Sequence, residues 1–171
     1  MHDEYEKPVE GKDRFCHVVV RNVNTGEVAL RLPGLLHRTE RIVFNQQGNL
    51  LALSCEKKGV LLFDLENQQW LHGESLPGAT NRTSIETIWD LAFSPDGQRL
   101  AGASRTQVLL WDTRTGNRVL TLRGAAPPSG DNGFNARVVW SHDGRRLAAS
   151  NTDATVSIWD AGDRESPAAK K

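Results

Sequence analysis

Three residue types that build nucleophilic active sites are adjacent in this chain: Ser141, His142 and Asp143. A catalytic triad needs a nucleophile, a base and an orienting acid whose side chains converge on one another. Three successive residues of a turn cannot direct their side chains in this way. We therefore interpret the segment as a hairpin turn and predict no catalytic residues in it.

The residue types that bind metals and phosphates are also scattered. The five histidines share no ligand spacing with the two cysteines, Cys16 and Cys55, which do not form a CxxC pair. Residues 124–133 are rich in glycine, but no Lys-Ser/Thr pair or helix follows them, so they do not resemble a phosphate loop. We expect no metal and no cofactor. Residues 124–133 are either a long partner-binding loop or a disordered insertion.

The composition is that of an ordinary globular chain. Of 171 residues, 38% are hydrophobic and 25% are charged, and 21 basic residues balance 21 acidic ones. A net charge near zero argues against a nucleic acid or an anionic membrane as partner. No apolar run has the length of a membrane span or of a signal-peptide core. Two thiols in apolar, strand-like contexts favour a reducing compartment, and so a cytoplasmic protein.

Three turn segments, at 44–48, 93–97 and 140–144, reveal an internal repeat. Each has an aromatic residue four positions before a glycine and a leucine seven positions after the aromatic. An aromatic–Asp pair follows each turn, at 63–64, 111–112 and 159–160, with a spacing of 48 residues. Residues 24–34 overlay residues 114–124 as a fourth, partial copy. The chain is therefore predicted to repeat one structural unit of about 48 residues.

Each full unit is predicted to contain four β-strands. In the first full unit, apolar runs at 41–44, 49–54, 59–64 and 70–72 are bounded by turn-forming residues. Gly48, Gly97 and Gly144 are the structural glycines of the first turns, and Gly97 and Gly144 are expected to have a positive φ in tight hairpins. No segment shows a sustained helical period, so we predict an all-β fold with almost no helix.

Two segments of the repeat resemble a known family. Ile-Trp-Asp-Leu-Ala-Phe-Ser-Pro-Asp-Gly at 88–97, followed by Val-Leu-Leu-Trp-Asp at 108–112, resembles the repeat of WD-repeat β-propellers of the type common in bacterial chains. Val-Val-Trp-Ser-His-Asp-Gly at 138–144, followed by Thr-Val-Ser-Ile-Trp-Asp at 155–160, resembles the same repeat. The resemblance covers residues 17–161. It implies a ring of four-stranded blades that serves as a rigid platform for protein partners.

The hydrogen-bonded residue set of that family is incomplete in this chain. Asp153 and Trp159 match its Asp and Trp positions in the last unit, whereas Lys58 stands at the Asp position of the first full unit. His37 is displaced from the family's Gly-His pair. The aromatic residues that end the third strands have structural roles in this alignment, and two of them are expected to be largely buried between neighbouring sheets. They are Phe63, Trp111 and Trp159, and the two that are expected to be largely buried are Trp111 and Trp159.

The predicted strands make little more than three blades. Residues 15–34 form a partial blade with its outer two strands, residues 35–78 and 79–124 form full blades, and residues 125–161 form a three-stranded partial blade. Polar tails occupy 1–14 and 162–171. Closed propellers have about four to eight blades, so the predicted ring is incomplete. Two open blade faces would forgo burial worth on the order of ten kcal/mol.

Three arrangements would account for the open faces. Another chain supplies the missing blades, the chain is a segment of a longer propeller, or it is marginally stable and prone to aggregate. A second copy joined head to tail would give about seven blades.

Charged residues recur three positions before each turn aromatic, at Arg41, Asp90 and Arg137. An innermost strand would direct them toward the central channel or its rim, where they either pair with one another or contact a ligand. Trp89 lies outside the apolar pattern of its neighbours. It either packs against the next blade or anchors a protein partner, since Trp and Arg are common in binding hot spots.

Two classes of function remain. The first is a non-catalytic scaffold for protein–protein interaction, with a protein partner or a second copy that completes the propeller. The alternative is a segment of a propeller enzyme, of the hydrolase or lactonase type, with a channel site. Such a site needs several convergent carboxylates, amides or imidazoles, and the channel positions offer one carboxylate, Asp90. We therefore expect a protein that is not an enzyme. A divalent metal in the purified protein would favour the alternative.

Overall fold

The computed structural model describes residues 18–32, 38–55, 59–72, 76–77, 87–104, 107–123, 137–150 and 155–161. These residues contain thirteen β-strands and no helix, and thus no helix with the length and apolar character needed to cross a bilayer. The strands are β1 (Val19–Arg21), β2 (Val28–Arg31), β3 (Thr39–Phe44), β4 (Leu50–Cys55), β5 (Gly59–Asp64), β6 (Gln69–Leu71), β7 (Asp90–Phe93), β8 (Arg99–Ala103), β9 (Gln107–Asp112), β10 (Arg118–Arg123), β11 (Val138–Trp140), β12 (Arg146–Ser150) and β13 (Val156–Asp160).

The strands form four antiparallel sheets in which each strand pairs with the next one along the chain. The opening sheet is β1–β2, blade 1 is β3–β6, blade 2 is β7–β10 and blade 3 is β11–β13. Short turns among the described residues, such as 45–49 and 94–98, allow this meander because they connect neighbouring antiparallel strands. The predicted all-β class, a partial propeller of four-stranded blades, is confirmed.

The first turn of each blade has the same backbone geometry. Gly97 and Gly144 have the predicted positive φ, of 72° and 71°, and Gly48 shares it at 76°. In each turn the glycine N–H donates to the carbonyl oxygen three residues earlier, for example from Gly97 to Ser94 at 2.8 Å. A side chain would be strained at this φ, which explains the glycine at the same position of every unit.

Apolar layers alternate with the sheets. The opening sheet packs on blade 1 through a layer that contains Leu32 and Phe63. Blades 1 and 2 share a layer around Leu62 and Trp111, and blades 2 and 3 share a layer around Leu110. Each blade is thus held on the next by side chains that alternate between the two faces of its strands.

The aromatic residues at the ends of the third strands differ in burial. Phe63 and Trp111 are fully buried, as predicted for Trp111. Trp159 meets the same prediction only in part, because it is half-buried against the layer between blades 2 and 3. In blades 1 and 2 a fourth strand runs beside this position, whereas the described part of blade 3 has three strands.

Some residues singled out in the sequence lie outside the described part of the chain. They are Cys16, His37, Lys58, Asp153 and residues 124–133.

Candidate functional site

The first strands of the three blades lie next to one another. β3 contacts β7, and β7 contacts β11, although consecutive members of the set are about one repeat apart in the chain. Because the repeat gives each strand the same register within its blade, equivalent positions of the three strands come close together in space. This brings Arg41 near Asp90 and Asp90 near the start of β11.

Asp90 connects all three blades. Its carboxylate oxygen Oδ1 lies 2.8 Å from Arg41 Nε, and its Oδ2 accepts a hydrogen bond of 2.9 Å from the backbone N–H of Val138. Asp90 is buried, and the Nε–Oδ1 contact is an ion pair without the angles of a hydrogen bond. Of the two interpretations of these charged positions, mutual pairing therefore describes Arg41 and Asp90.

Arg137 and Trp89 are placed differently. Arg137 is exposed, its backbone bonds to Ser150, and its guanidinium forms no ion pair within the described residues. Trp89 is 36% exposed, whereas its neighbour Ile88 is fully buried. The Trp89 backbone N–H donates to the Ala103 carbonyl at 2.9 Å, which fixes the start of β7 on β8. Both side chains therefore remain accessible at the beginning of the first strands.

A groove of about 430 Å³ lies at the opposite end of the same strands. Phe44, Phe93 and Trp140 line it, together with turn residues at equivalent positions of the repeat, Gln46, Pro95 and His142. Trp140 is held in place by a hydrogen bond of 3.2 Å from its Nε1 to the Ala92 carbonyl. Sequence reasoning missed this groove, although the aligned turn aromatics and the third residues of the turns were a signal for it.

Ser141, which lines the groove, is engaged by hydrogen bonds within its own turn. Ser141 donates its hydroxyl hydrogen to Asp143 Oδ1 at 2.6 Å and accepts a hydrogen bond from the Arg146 N–H at 2.8 Å. The Ser141 hydroxyl thereby lowers the pKa of Asp143, which stays ionised in the turn. The described residues contain no group of three or more side chains that could hold a metal ion. Ser141 is thus a turn residue, as its position in the sequence indicates.

The stacked four-stranded sheets with a groove across their first strands define an arc of a β-propeller. The family pattern described as WD domain, G-beta repeat matches residues 76–112 and 136–160. WD repeat-containing protein 1 of Xenopus tropicalis is 44% identical over 69 residues, which are 40% of this chain and 11% of that protein. An uncharacterized WD repeat-containing protein of Synechocystis is 32% identical over 114 residues, which are 66% of this chain and 29% of that protein.

A third relative is the WD repeat-containing protein VIP3 of Arabidopsis thaliana, which is 37% identical over 82 residues, 43% of this chain and 26% of that protein. The chain belongs to the WD-repeat family. It spans between 6% and 29% of the length of these and similar curated relatives. The similarity therefore concerns the repeats, and the activities of the whole relatives do not transfer with it.

Proposed function

We propose that the chain is a non-catalytic scaffold for protein–protein interaction and that its arc of blades forms part of a larger or oligomeric propeller, completed by a protein partner or a second copy. The observation that carries the scaffold function is the surface formed by the first strands. This inner-strand surface comprises the groove together with Trp89 and Arg137. A cytoplasmic location and the absence of nucleic-acid and membrane partners belong to the same proposal, on the grounds of charge and composition.

The inner-strand surface is rigid, which favours binding. Asp90 holds the first strands of three blades through Arg41 and Val138, so the groove and Arg137 keep a fixed spacing. A preformed surface loses little conformational entropy when a partner binds. The exposed aromatic and arginine side chains are of the types that dominate binding energy in interfaces.

The chemistry of the surface indicates the kind of segment it takes. Arg137 precedes Trp140 by three residues, which is about 10 Å along an extended strand. An extended peptide could therefore place an acidic side chain near Arg137 and an apolar side chain in the groove at the same time. The partner we propose is a protein that presents such a segment.

The enzymatic alternative has less support. Asp90, the one carboxylate at the channel positions, is already engaged by Arg41 and the Val138 N–H. A hydrolase or lactonase site would need further convergent polar groups, and the described residues contain no group of three or more His, Cys, Asp or Glu side chains that could hold a metal ion. Elemental analysis of the purified protein tests this alternative, and a stoichiometric divalent metal would favour it.

The scaffold proposal is tested by selecting binders from a displayed library of random peptides on the immobilised chain. The dissociation constants of recovered peptides are then measured for the wild type, Trp89→Ala, Arg137→Glu and the control Arg118→Glu. Arg118 is an exposed arginine on the outermost strand of blade 2. We expect binding at least about tenfold weaker for the first two variants and unchanged for the control. Failure to recover any peptide, or equal binding by all four proteins, would contradict the proposal.

A further inference from the structure

Each blade carries an equivalent row of small and branched apolar residues across one face of its sheet. The rows run through residues that are paired in register on adjacent strands. They are Val43, Ala52 and Leu62 in blade 1, Ala92, Ala101 and Leu110 in blade 2, and Val139, Ala148 and Ile158 in blade 3.

The first two rows show what covers this kind of face. The blade 1 row is buried in one layer with Leu91 and Leu100 of blade 2. The blade 2 row is buried in one layer with Val138 and Leu147 of blade 3. In both cases the cover is the opposite face of the next blade, which includes residues of its first and second strands. The row is thus a blade-binding surface.

The row of blade 3 is exposed. Val139 and Ile158 are 60% and 65% exposed, and Val156, on the same face two residues before Ile158, is 61% exposed. At one end of this face Arg146 and Asp160 neutralise each other in an ion pair of 2.9 Å. Blade 3 therefore presents the same apolar chemistry as the buried rows, with no net charge from this pair.

The other end of the arc exposes the complementary half of the interface. Ile42 and Phe44, on the first strand of blade 1, are 45% and 55% exposed. Their equivalents in blade 2 are Leu91 and Phe93, which pack in the layer with the blade 1 row. Within the described residues no such row faces Ile42 and Phe44, because the two strands of the opening sheet correspond to the third and fourth strands of a blade.

We infer that a second copy of this chain places its blade 3 against blade 1, so that its Val139 and Ile158 contact Ile42 and Phe44. The inference rests on the proposed function, because it takes the arc to be part of an oligomeric propeller. Blade 3 exposes an apolar row without a covering blade, and blade 1 exposes first-strand residues without a row to cover. The joint repeats, between copies, the packing that two interfaces within the chain already show.

Two such joints, related by a two-fold axis, would close the ring. The second copy's β11 and β12 take the two inner positions beside the opening sheet. Its β13 takes the third position and displaces the short β1. The closed ring then has about six blades, because each joint merges blade 3 of one copy with the opening sheet of the other. This is one fewer than the roughly seven blades expected from the sequence, and it lies within the range of known propellers.

The test compares solution masses, by light scattering, of the wild type, Ile158→Glu, Ile42→Glu and the control Val119→Glu. Val119 is an exposed β-branched residue on the outer strand of blade 2. We expect twice the chain mass for the wild type and the control, and the single chain mass for each of the other two variants. An equimolar mixture of these two variants should recover the double mass. In the mixed dimer, one of the two joints pairs an unsubstituted blade 3 with an unsubstituted blade 1.

Several results would overturn the inference: a monomeric wild type, a mixture that stays monomeric, or a mass that grows with concentration beyond two copies, since closed joints stop at two. If a glutamate variant does not fold, Val139→Ser replaces it, with an expected increase of at least about tenfold in the dimer dissociation constant. A monomer that still binds the selected peptides would contradict the joint between copies and support the scaffold function. A dimer that binds none of them would support the joint and contradict the scaffold function.

Discussion

Asp90 and Arg41 meet across the boundary between two blades, with 2.8 Å between the carboxylate oxygen Oδ1 and the guanidinium nitrogen Nε. The two residues are separated by one repeat of the sequence, and the second carboxylate oxygen bonds to Val138 one repeat further on. One buried carboxylate therefore fixes the relative position of three blades. The groove lies at the other end of the three strands that this link connects.

Replacement of Asp90 by alanine should lower the free energy of unfolding by about 2 to 4 kcal/mol. The change leaves the buried Arg41 Nε and the Val138 N–H without their acceptors. Arg41 is partly exposed, so solvent compensates for some of the loss. Urea unfolding measures the effect.

Arg137→Ala is the matched control for Asp90→Ala. Arg137 occupies the equivalent position in blade 3 but is exposed, and its loss should change stability by less than about 0.5 kcal/mol. Asp90→Asn should cost less than Asp90→Ala because it retains an acceptor for Val138. Equal midpoints for the two alanine variants would show that the link does not stabilise the arc.

The two tryptophans that end the third strands should differ in their contribution to stability. Trp111 is fully buried and donates a hydrogen bond of 2.9 Å from Nε1 to the Pro77 carbonyl. Trp111→Ala should cost about 3 to 5 kcal/mol. Trp159 is half-buried, so Trp159→Ala should cost less, about 1 to 2 kcal/mol. Chemical denaturation of both variants measures the difference, and equal losses would contradict the assigned burial.

Much of the fold could be predicted from the sequence because it is encoded by local spacing. The turns at Gly48, Gly97 and Gly144 and the thirteen strands follow from residues that lie near one another in the chain. Trp159 is less buried than Trp111 although both end a third strand, because burial at this position also depends on a fourth strand beside it, and the sequence already predicts three strands for blade 3.

The candidate site was predictable only in part. The alignment of repeats placed Arg41, Asp90 and Arg137 at equivalent positions, but it could not say which of them pair. That outcome depends on how far one blade is rotated relative to the next, and rotation is set by packing rather than by spacing. The groove beside Trp140 has the same origin, since its walls come from three blades.

Stability should fall in acid because several carboxylates have lowered pKa values. Hydrogen bonds from the Thr115 backbone and the Arg99 side chain bring the pKa of Asp112 to about 2. Hydrogen bonds from Asn67 lower the pKa of Asp64, and the Ser94 hydroxyl lowers that of Asp96.

A carboxylate in the unfolded chain has a pKa of about 3.9. Because the folded values lie below it, the stabilisation is complete above about pH 4 and is lost as the pH falls toward about 2. The urea midpoint should therefore be lower at about pH 3 than at pH 7, and the difference should be smaller for Asp112→Asn. The same pH dependence in wild type and variant would exclude Asp112 as a contributor.

Gly116 and Gly26 offer a matched pair for the contact between blades 1 and 2. Each follows a threonine in the turn between a third and a fourth strand, with φ of 71° and 74°. A Cβ atom at Gly116 would lie 2.6 Å from Cγ of His72, whereas a Cβ atom at Gly26 would meet nothing within 4 Å. The His72 ring also lies near the Thr113 carbonyl oxygen, at 3.1 Å from Nε2.

Both Gly→Ala variants should lose about 1 kcal/mol through backbone strain at positive φ. Gly116→Ala should lose about 1 kcal/mol more, because the His72 ring must move away and give up its contact with Thr113. Urea unfolding of a double-mutant cycle with His72→Ala isolates this part. We expect the cycle to be non-additive for Gly116→Ala and additive for Gly26→Ala. Equal losses at the two glycines, or additivity in both cycles, would show that the His72 ring does not pack on this turn in solution.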